Sequence, residues 1–441
     1  MTSQHRHRVM ANGWGTRLER GTRRAFLRAV GAATAAAVFS RSARGAEERR
    51  RLAVVTTEWR YHSHAWHMAE RFIHGYPLQG RWHRPPIDLV AAYVDQFPEN
   101  DLSRDRAAEF GFRIYPTIAE ALRLGTDRLA VDAVLIIGEH GRYPKNEFGQ
   151  TLYPRYEFFQ QVVDVFTKDG RAVPVFNDKH LSWNWQWARQ MVEQSRRLGF
   201  PFLAGSSLPV TWRMPAVDMP YGAEVTEAMC VAFGGVDSYD FHALETIQCM
   251  VERRRGGETG VRAVQALRGD AVWQAMQAGS WEAGGWDPQL WTACLCRSQT
   301  LAQPETFSHR FPTAEQIRQW VKDPVVYRIE YRDGLRATMA LMNGLVADFT
   351  FAARLSDRDE PLSTLFYLPP NPNVVYSAAL MSKVEEMIVS GKAPYPIERT
   401  LLTTGILAAA VAGLTRVGQW QETPHLDIRY QAPRESQFWQ T

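Results

Sequence analysis

Asp178, Lys179 and His180 stand together in residues 170–181, GRAVPVFNDKHL. A short β-strand pattern leads into them and a helix pattern follows, so Asp178-Lys179 falls at the carboxyl end of a strand. Open α/β sheets take their ligands at that edge. A lysine there can hydrogen-bond a substrate hydroxyl, support proton transfer in carbonyl–alcohol chemistry or stabilise a developing alkoxide. An Asp-Lys dipeptide alone is usually a pair of surface charges, so its meaning rests on the elements around it. Trp183, Trp185 and Trp187 come next. Aromatic faces stack on sugar rings, which makes Trp183, with His180, a candidate substrate contact; tryptophans at helical spacing are more often core.

A second group of chemistry-bearing residues follows the first predicted strand. His62, His64 and His67 read His-x-His-x-x-His, and with Glu58 they could bind a divalent metal. A polar loop opening a helix is the plainer reading, and no metal is assigned. Four cysteines, Cys230, Cys249, Cys294 and Cys296, are few for an exported chain of this size. Cys294-x-Cys296 could bind metal or form a strained disulfide; free buried thiols are the simpler expectation.

The elements that must position these residues fall into two halves. Strand patterns at 52–56, 88–94, 133–137, 172–176 and 201–204 alternate with helix patterns at 65–73, 104–109, 118–124, 156–166 and 187–198. That alternation predicts a doubly wound parallel sheet, a Rossmann-like α/β domain over 46–207. In the second half, 224–231 and 241–252 read as helices. Strand patterns then cluster at 261–267, 325–331, 336–342 and 346–351, with hairpin signals at Arg332-Asp333-Gly334 and Asn343-Gly344. This predicts an α+β domain over 208–430, its largely antiparallel sheet carrying helices on one side, and a tail over 431–441. An exposed face of that sheet is compatible with a homo-oligomer. The late apolar helix at 399–414 is too short and too rich in Ala and Gly to span a membrane.

The leading segment reads as an address. Arg23-Arg24 followed by Phe26-Leu27 and a short apolar run matches a twin-arginine export signal over residues 1–45, which implies a periplasmic or otherwise exported protein. Those residues hold nine Arg and one Glu, a net of +8, so the chain's +4 becomes −4 without them. The basic balance belongs to the signal, and no nucleic-acid footprint remains.

In this order the motifs resemble the glucose–fructose oxidoreductase / inositol dehydrogenase family, often called Gfo/Idh/MocA. Residues 89–95, LVAAYVD, and 131–137, VDAVLII, look like the family's second and fourth strands. Residues 170–181 are similar to its Gly-x-x-Val-x-x-Glu-Lys-Pro-Leu motif, with Asp178 at the Glu, Lys179 at the Lys and His180 at the Pro. Residues 241–245, FHALE, are similar to its His-x-x-Asp helix. The resemblance implies hydride transfer between NAD or NADP and a sugar or polyol hydroxyl. Its implied site is Lys179, His242 as acid/base and Glu245 orienting the His242 ring, with Asp95 near the cofactor ribose and Thr56 and Asp178 on the cofactor side.

One part of the pattern departs. A dinucleotide-binding turn needs three glycines so that backbone can approach the pyrophosphate and a helix N-terminus can face it. Thr56, Glu58 and Tyr61 occupy those positions. A carboxylate about 4 Å from a phosphate charge costs on the order of 4 kcal/mol at an effective dielectric near 20. The departure leaves room for two other readings: a non-redox, carbohydrate-binding or cofactor-independent relative in the cell envelope, and a metal-assisted hydrolase or lyase built on His62, His64 and His67.

Overall fold

Apolar runs without polar alternation demand burial on both faces, and the first half of the chain builds its sheet from such runs. The computed structural model describes residues 49–440; the segment assigned to export lies outside them. The order is β1 (Arg50–Thr56), α1 (His64–His74), β2 (Tyr76–Leu78), β3 (Arg81–His83), β4 (Ile87–Val94), α2 (Ser103–Phe110), β5 (Arg113–Ile114), α3 (Ile118–Arg123), β6 (Ala133–Ile137), α4 (Arg155–Asp169), β7 (Val175–Asp178), α5 (Trp185–Leu198) and β8 (Phe202–Gly205). Six strands pair in parallel in the order β5-β4-β1-β6-β7-β8, with β2 and β3 forming a separate small hairpin. The chain runs outward from β1 through β4 to β5, then returns to lay β6 on the other side of β1. The carboxyl ends of β1 and β6 therefore flank the switch point where such sheets bind ligands.

The second half contributes β9 (Arg213–Met214), β10 (Val225–Ala232), α6 (Tyr239–Val251), β11 (Val261–Arg268), α7 (Asp270–Ala278), α8 (Pro288–Arg297), α9 (Ala314–Trp320), β12 (Val325–Tyr331), β13 (Arg336–Leu341), β14 (Phe349–Leu355), β15 (Leu362–Phe366), α10 (Tyr376–Ser390), α11 (Glu398–Gly413) and β16 (Trp420–Glu422). Its eight strands run β16-β11-β12-β13-β10-β14-β15-β9, antiparallel throughout except where β10 lies parallel to β13.

Three expectations change here. The segment expected to be a helix at 224–231 is β10, a central strand whose last five residues are buried. Its Glu, Ala and Met favour helix locally, but a position between two paired strands overrides that preference. The hairpin at 332–334 forms between β12 and β13, whereas Asn343-Gly344 makes none, because β10 inserts between β13 and β14. Helices also cover both faces of this sheet. On one, Phe241 and Leu244 of α6 and Leu402 and Ile406 of α11 pack against Tyr327, Met339 and Phe351. On the other, Val272 of α7, Leu290 and Cys294 of α8 and Ile317 of α9 cover Val231, Leu267, Val326 and Ala352. The face expected to be exposed for self-association is thus packed by the chain itself.

Residues late in the sequence return to the first sheet. Leu380, Met381, Val384 and Met387 of α10 share a core with Leu52, Val54, Leu135 and Ile137. The segment expected to be a tail is tied down: Phe438 is buried, and the Trp439 amide donates to the Val210 carbonyl at 2.9 Å. All four cysteines are free, and only Cys296 is exposed. Among the described residues no helix is long and apolar enough to cross a membrane.

Candidate active site

The strand-end rule that singles out Lys179 holds for three neighbouring strands. Beyond β6 comes Glu139, beyond β7 Lys179, and beyond β8 Ser206. Together with α1 and α6 they enclose a cavity of about 170 Å³ whose lining includes His64, His67, His140, Asp178 and His242. The two halves of the chain meet there, α1 coming from the first and α6 from the second.

Lys179 is buried, and its Nζ donates to Glu139 Oε1 at 3.1 Å. Its backbone sits at φ +61°, the left-handed region that a non-glycine residue rarely adopts. Its amide donates to the Gly205 carbonyl at 3.3 Å, which ties the turn to the end of β8. Gly205 itself has φ +123°, and a Cβ there would stand 2.6 Å from Glu245 Oε2. Arg155, from the first turn of α4, reaches the other Glu139 oxygen. Burial alone would raise the Glu139 carboxyl, but Lys179 and Arg155 outweigh it and hold it well below the usual carboxylate range.

Asp178, assigned to the cofactor side by the resemblance, lines this same cavity. Its Oδ2 is 2.6 Å from His64 Nδ1, forming a carboxylate–imidazole pair. The His64 ring is 4.8 Å from that of His67 and 5.0 Å from that of His140. Burial, then His64, pushes His67 well below the ordinary histidine value and His140 down to about 4, so both rings are neutral near pH 7. Three buried atoms of this group, His67 Nδ1, His140 Nε2 and Asp178 Oδ1, have no hydrogen-bond partner within the protein. Such groups are costly unless a ligand or solvent satisfies them.

His242 enters from the first turn of α6. Asp240 fixes that turn, its Oδ1 accepting the Ser238 and Phe241 amides and its Oδ2 the Asp237 amide and the Tyr327 hydroxyl. His242 Nδ1 is 2.6 Å from Ser206 Oγ, which leaves Nε2 as the free ring nitrogen. Burial, then Lys179 and His64, lowers the His242 pKa well below its ordinary value. The ring is a neutral base near pH 7, and its hydroxyl partner can serve either tautomer.

Glu245 does not contact the His242 ring. Its oxygens accept the hydroxyls of Thr403 (2.6 Å) and Thr400 (3.3 Å) on α11 and, at 3.4 Å, the Ser206 amide. It is a buried joint between α6, α11 and the end of β8, and it bears on His242 only by way of Ser206. His180 and Trp183 also lie outside the cavity lining. His180 is buried against Arg155 (3.2 Å) and Phe241, while Trp183 packs on Trp187 and Trp185 on His425. The helical spacing of these tryptophans was a packing signal. His62 sets its ring against Tyr61 and Trp66 and does not line the cavity. Among the described residues no group of three or more His, Cys, Asp or Glu side chains is arranged to hold a metal ion.

The cofactor side differs more sharply. Seven residues without a glycine link β1 to α1, and Trp59 within them is wholly buried, stacked on Phe112 with Nε1 on Glu70 at 3.1 Å. The Leu102 amide donates to the Trp59 carbonyl at 2.7 Å, drawing this loop onto the one after β4. Thr56 turns its hydroxyl to the Ile137 carbonyl (3.0 Å), and Glu58 is paired with Arg60 at 2.5 Å. Asp95 accepts the hydroxyls of Tyr93 (2.9 Å) and Tyr143 (2.6 Å). Gln96 exchanges two bonds with the Arg142 backbone, and Thr57 Oγ1 donates to the Glu139 carbonyl at 2.6 Å. The loops after β1, β4 and β6 are thus stitched together over the switch point. These residues do not fit a dinucleotide held by an ordinary glycine-rich turn.

Sequence reasoning missed Glu139, His140, Arg155, Ser206 and the lining residue Tyr376. The first two sit just past the strong strand at 133–137, so the rule applied to Lys179 would have found them. Ser206 follows a strand in the same way. Nothing local marks Tyr376.

Solved structures with similar folds bear on what this arrangement is. GenD2 from gentamicin A biosynthesis, in complex with NAD, superposes with a TM-score of 0.54 at 15% identity, covering 86% of this chain and 97% of its own. A probable dehydrogenase from Thermotoga maritima matches at 0.50 and 12%, covering 85% and 99%. A chain from Sinorhizobium meliloti 1021, provisionally described as a myo-inositol dehydrogenase, matches at 0.50 and 14%, covering 85% and 99%. The fold is that of the Gfo/Idh/MocA-type dehydrogenases. At these identities the likeness establishes the fold alone. No protein-family model matches the sequence, and neither does any curated protein.

Proposed function

We propose that this chain is an oxidoreductase of the Gfo/Idh/MocA type that acts on a sugar or polyol hydroxyl. The observation that carries this is the convergence of Lys179, just past β7, and His242, in the first turn of α6, on one enclosed cavity. His242 Nε2 is placed to exchange a proton with a substrate hydroxyl, and Lys179 Nζ to stabilise the negative charge that develops on its oxygen. Ser206 holds the imidazole, Glu139 holds the lysine and is itself held by Arg155, and the His64–Asp178 pair offers a second polar contact in the cavity. The unpartnered atoms of His67, His140 and Asp178 suit a ligand with several hydroxyls. NAD or NADP is the cofactor that the fold's dehydrogenases imply, and the leading segment adds export by the twin-arginine route.

A second reading is favoured by the Asp95–Tyr143 and Gln96–Arg142 bonds over the switch point. In it the same residues move protons on a sugar-type substrate without a nicotinamide. Denaturing protein purified from cells and assaying the released nucleotide separates the two. Release near one equivalent of NAD or NADP supports hydride transfer. No release, with no heat on titrating either nucleotide, removes it and leaves the second. A His242→Gln variant that kept full sugar-dependent activity would sink both.

A further inference from the structure

Beside the cavity lies a groove of about 270 Å³ that shares His67 with it and is lined on its outer side by Tyr61, Trp66 and Trp82. Trp82 is 60% exposed and Tyr61 53%, more than any other large hydrophobic side chain among the described residues. Exposed apolar side chains scattered singly are ordinary, whereas aromatic rings grouped around one groove and rimmed by polar residues mark an interaction site.

Their placement is built. Trp82 stands on the β2–β3 hairpin, paired with Pro77, and its Nε1 donates to the His74 carbonyl at 2.7 Å. The hairpin's base is anchored to α10, where Tyr76 and His83 both bond Glu385. Gly75, at φ +82°, lets the strands leave α1 this closely; a Cβ there would lie 2.2 Å from the His83 carbonyl oxygen. Tyr61 is braced edge-on by Trp66 at 4.9 Å. Each ring is fixed by a contact of its own, so little side-chain freedom remains to be lost on binding. Between them the floor is polar, supplied by Glu70, Arg71 and His74. Aromatic walls over a polar floor match a ring that is apolar on its faces and hydroxylated at its edges.

We infer that this groove holds a second ring of the substrate, so that the natural ligand is a glycoside rather than a free monosaccharide. The inference rests on reading the adjoining cavity as a sugar or polyol site. His67 lines both spaces, so in this arrangement the reacting ring lies at Lys179 and His242 and the next ring between Tyr61 and Trp82. Groove and cavity together, and not the tryptophans after Lys179, supply the aromatic contact.

The test is ligand-observed NMR and calorimetry with glucose, galactose and myo-inositol against cellobiose, lactose, maltose and phenyl β-D-glucopyranoside. At least one two-ring ligand is expected to bind about tenfold more tightly than its monosaccharide. Trp82→Ala and Tyr61→Ala are each expected to erase most of that gain while leaving monosaccharide affinity within about twofold. Both side chains are exposed, so truncation leaves the core intact, and Trp82→Phe should keep part of the gain. Monosaccharide binding with no two-ring advantage, or an advantage indifferent to both substitutions, overturns the inference alone. Binding of none of these ligands overturns it together with the sugar reading of the cavity.

Discussion

Replacing Lys179 probes the electrostatics and the backbone of the cavity in one experiment. The side chain is buried and neutralises one oxygen of a buried carboxylate at 3.1 Å, while Arg155 holds the other. Truncation leaves Glu139 Oε1 without its partner. Breaking a buried ion pair costs about 3–5 kcal/mol, and an unsatisfied buried polar group about 1–3 kcal/mol. Arg155 remains in place, so the lower range applies to Lys179→Ala. The residue also sits at φ +61°. Left-handed backbone costs an ordinary residue about 1–2 kcal/mol, and glycine escapes that cost. Lys179→Gly therefore loses the same ion pair yet recovers backbone strain. The expected order of stability is wild type, then Gly, then Ala, with Gly about 1 kcal/mol above Ala. At most sites the order of Gly and Ala is the reverse. Urea unfolding of the three proteins, followed by tryptophan fluorescence and circular dichroism together, reads the order directly. An alanine variant as stable as wild type would refute the ion-pair argument, and a glycine variant no better than alanine the strain argument.

Two further outcomes are expected. Burial raises the Asp237 carboxyl to about 7, against the hydrogen bond from Gln150, with Asp240 adding to the rise. A folded value above the unfolded one means the associated stability is whole below about pH 4 and is lost as pH rises through 7. Asn keeps the bond from Gln150 and tolerates φ +63°, so Asp237→Asn should gain on wild type by a few kcal/mol between pH 5 and pH 8. Equal urea midpoint differences at the two pH values would contradict this. Separately, Arg23→Lys with Arg24→Lys should retain the protein in the cytoplasm on fractionation, and unchanged release would remove the twin-arginine reading.

Much of the fold was legible because its signals are local. Apolar runs such as 133–137 stand out without reference to any partner, and their alternation with helices implies the parallel sheet. The failures arise where a partner decides. Residues 224–231 carry helix-forming side chains and become a strand only because β13 and β14 flank them. Asn343-Gly344 has turn chemistry, but whether a turn closes a hairpin depends on a strand from 110 residues earlier. In the site, Lys179 and His242 were legible from strand-end position and motif. Ser206 as the partner of the His242 ring was not, since the pairing exists only once α6 packs beside the residues that follow β8.

The missing glycines were visible in the sequence, yet the obstacle they imply is different from the one the structure presents. A bare Glu58 carboxylate would repel a pyrophosphate, but Arg60 pairs with it at 2.5 Å and answers much of that charge. The tighter obstacle is the bonding between loops. A ribose at Asp95 would have to displace two tyrosine hydroxyls, and a pyrophosphate over β1 would meet a loop already drawn onto Leu102 and anchored by a buried Trp59. Restoring glycine at 56, 58 and 61 would leave all of those contacts standing. The obstacle to a dinucleotide in this structure thus lies less in the turn's composition than in the bonds that join the loops after β4 and β6. That places the decisive substitution at Tyr143 and Gln96, residues that a glycine-motif search never inspects.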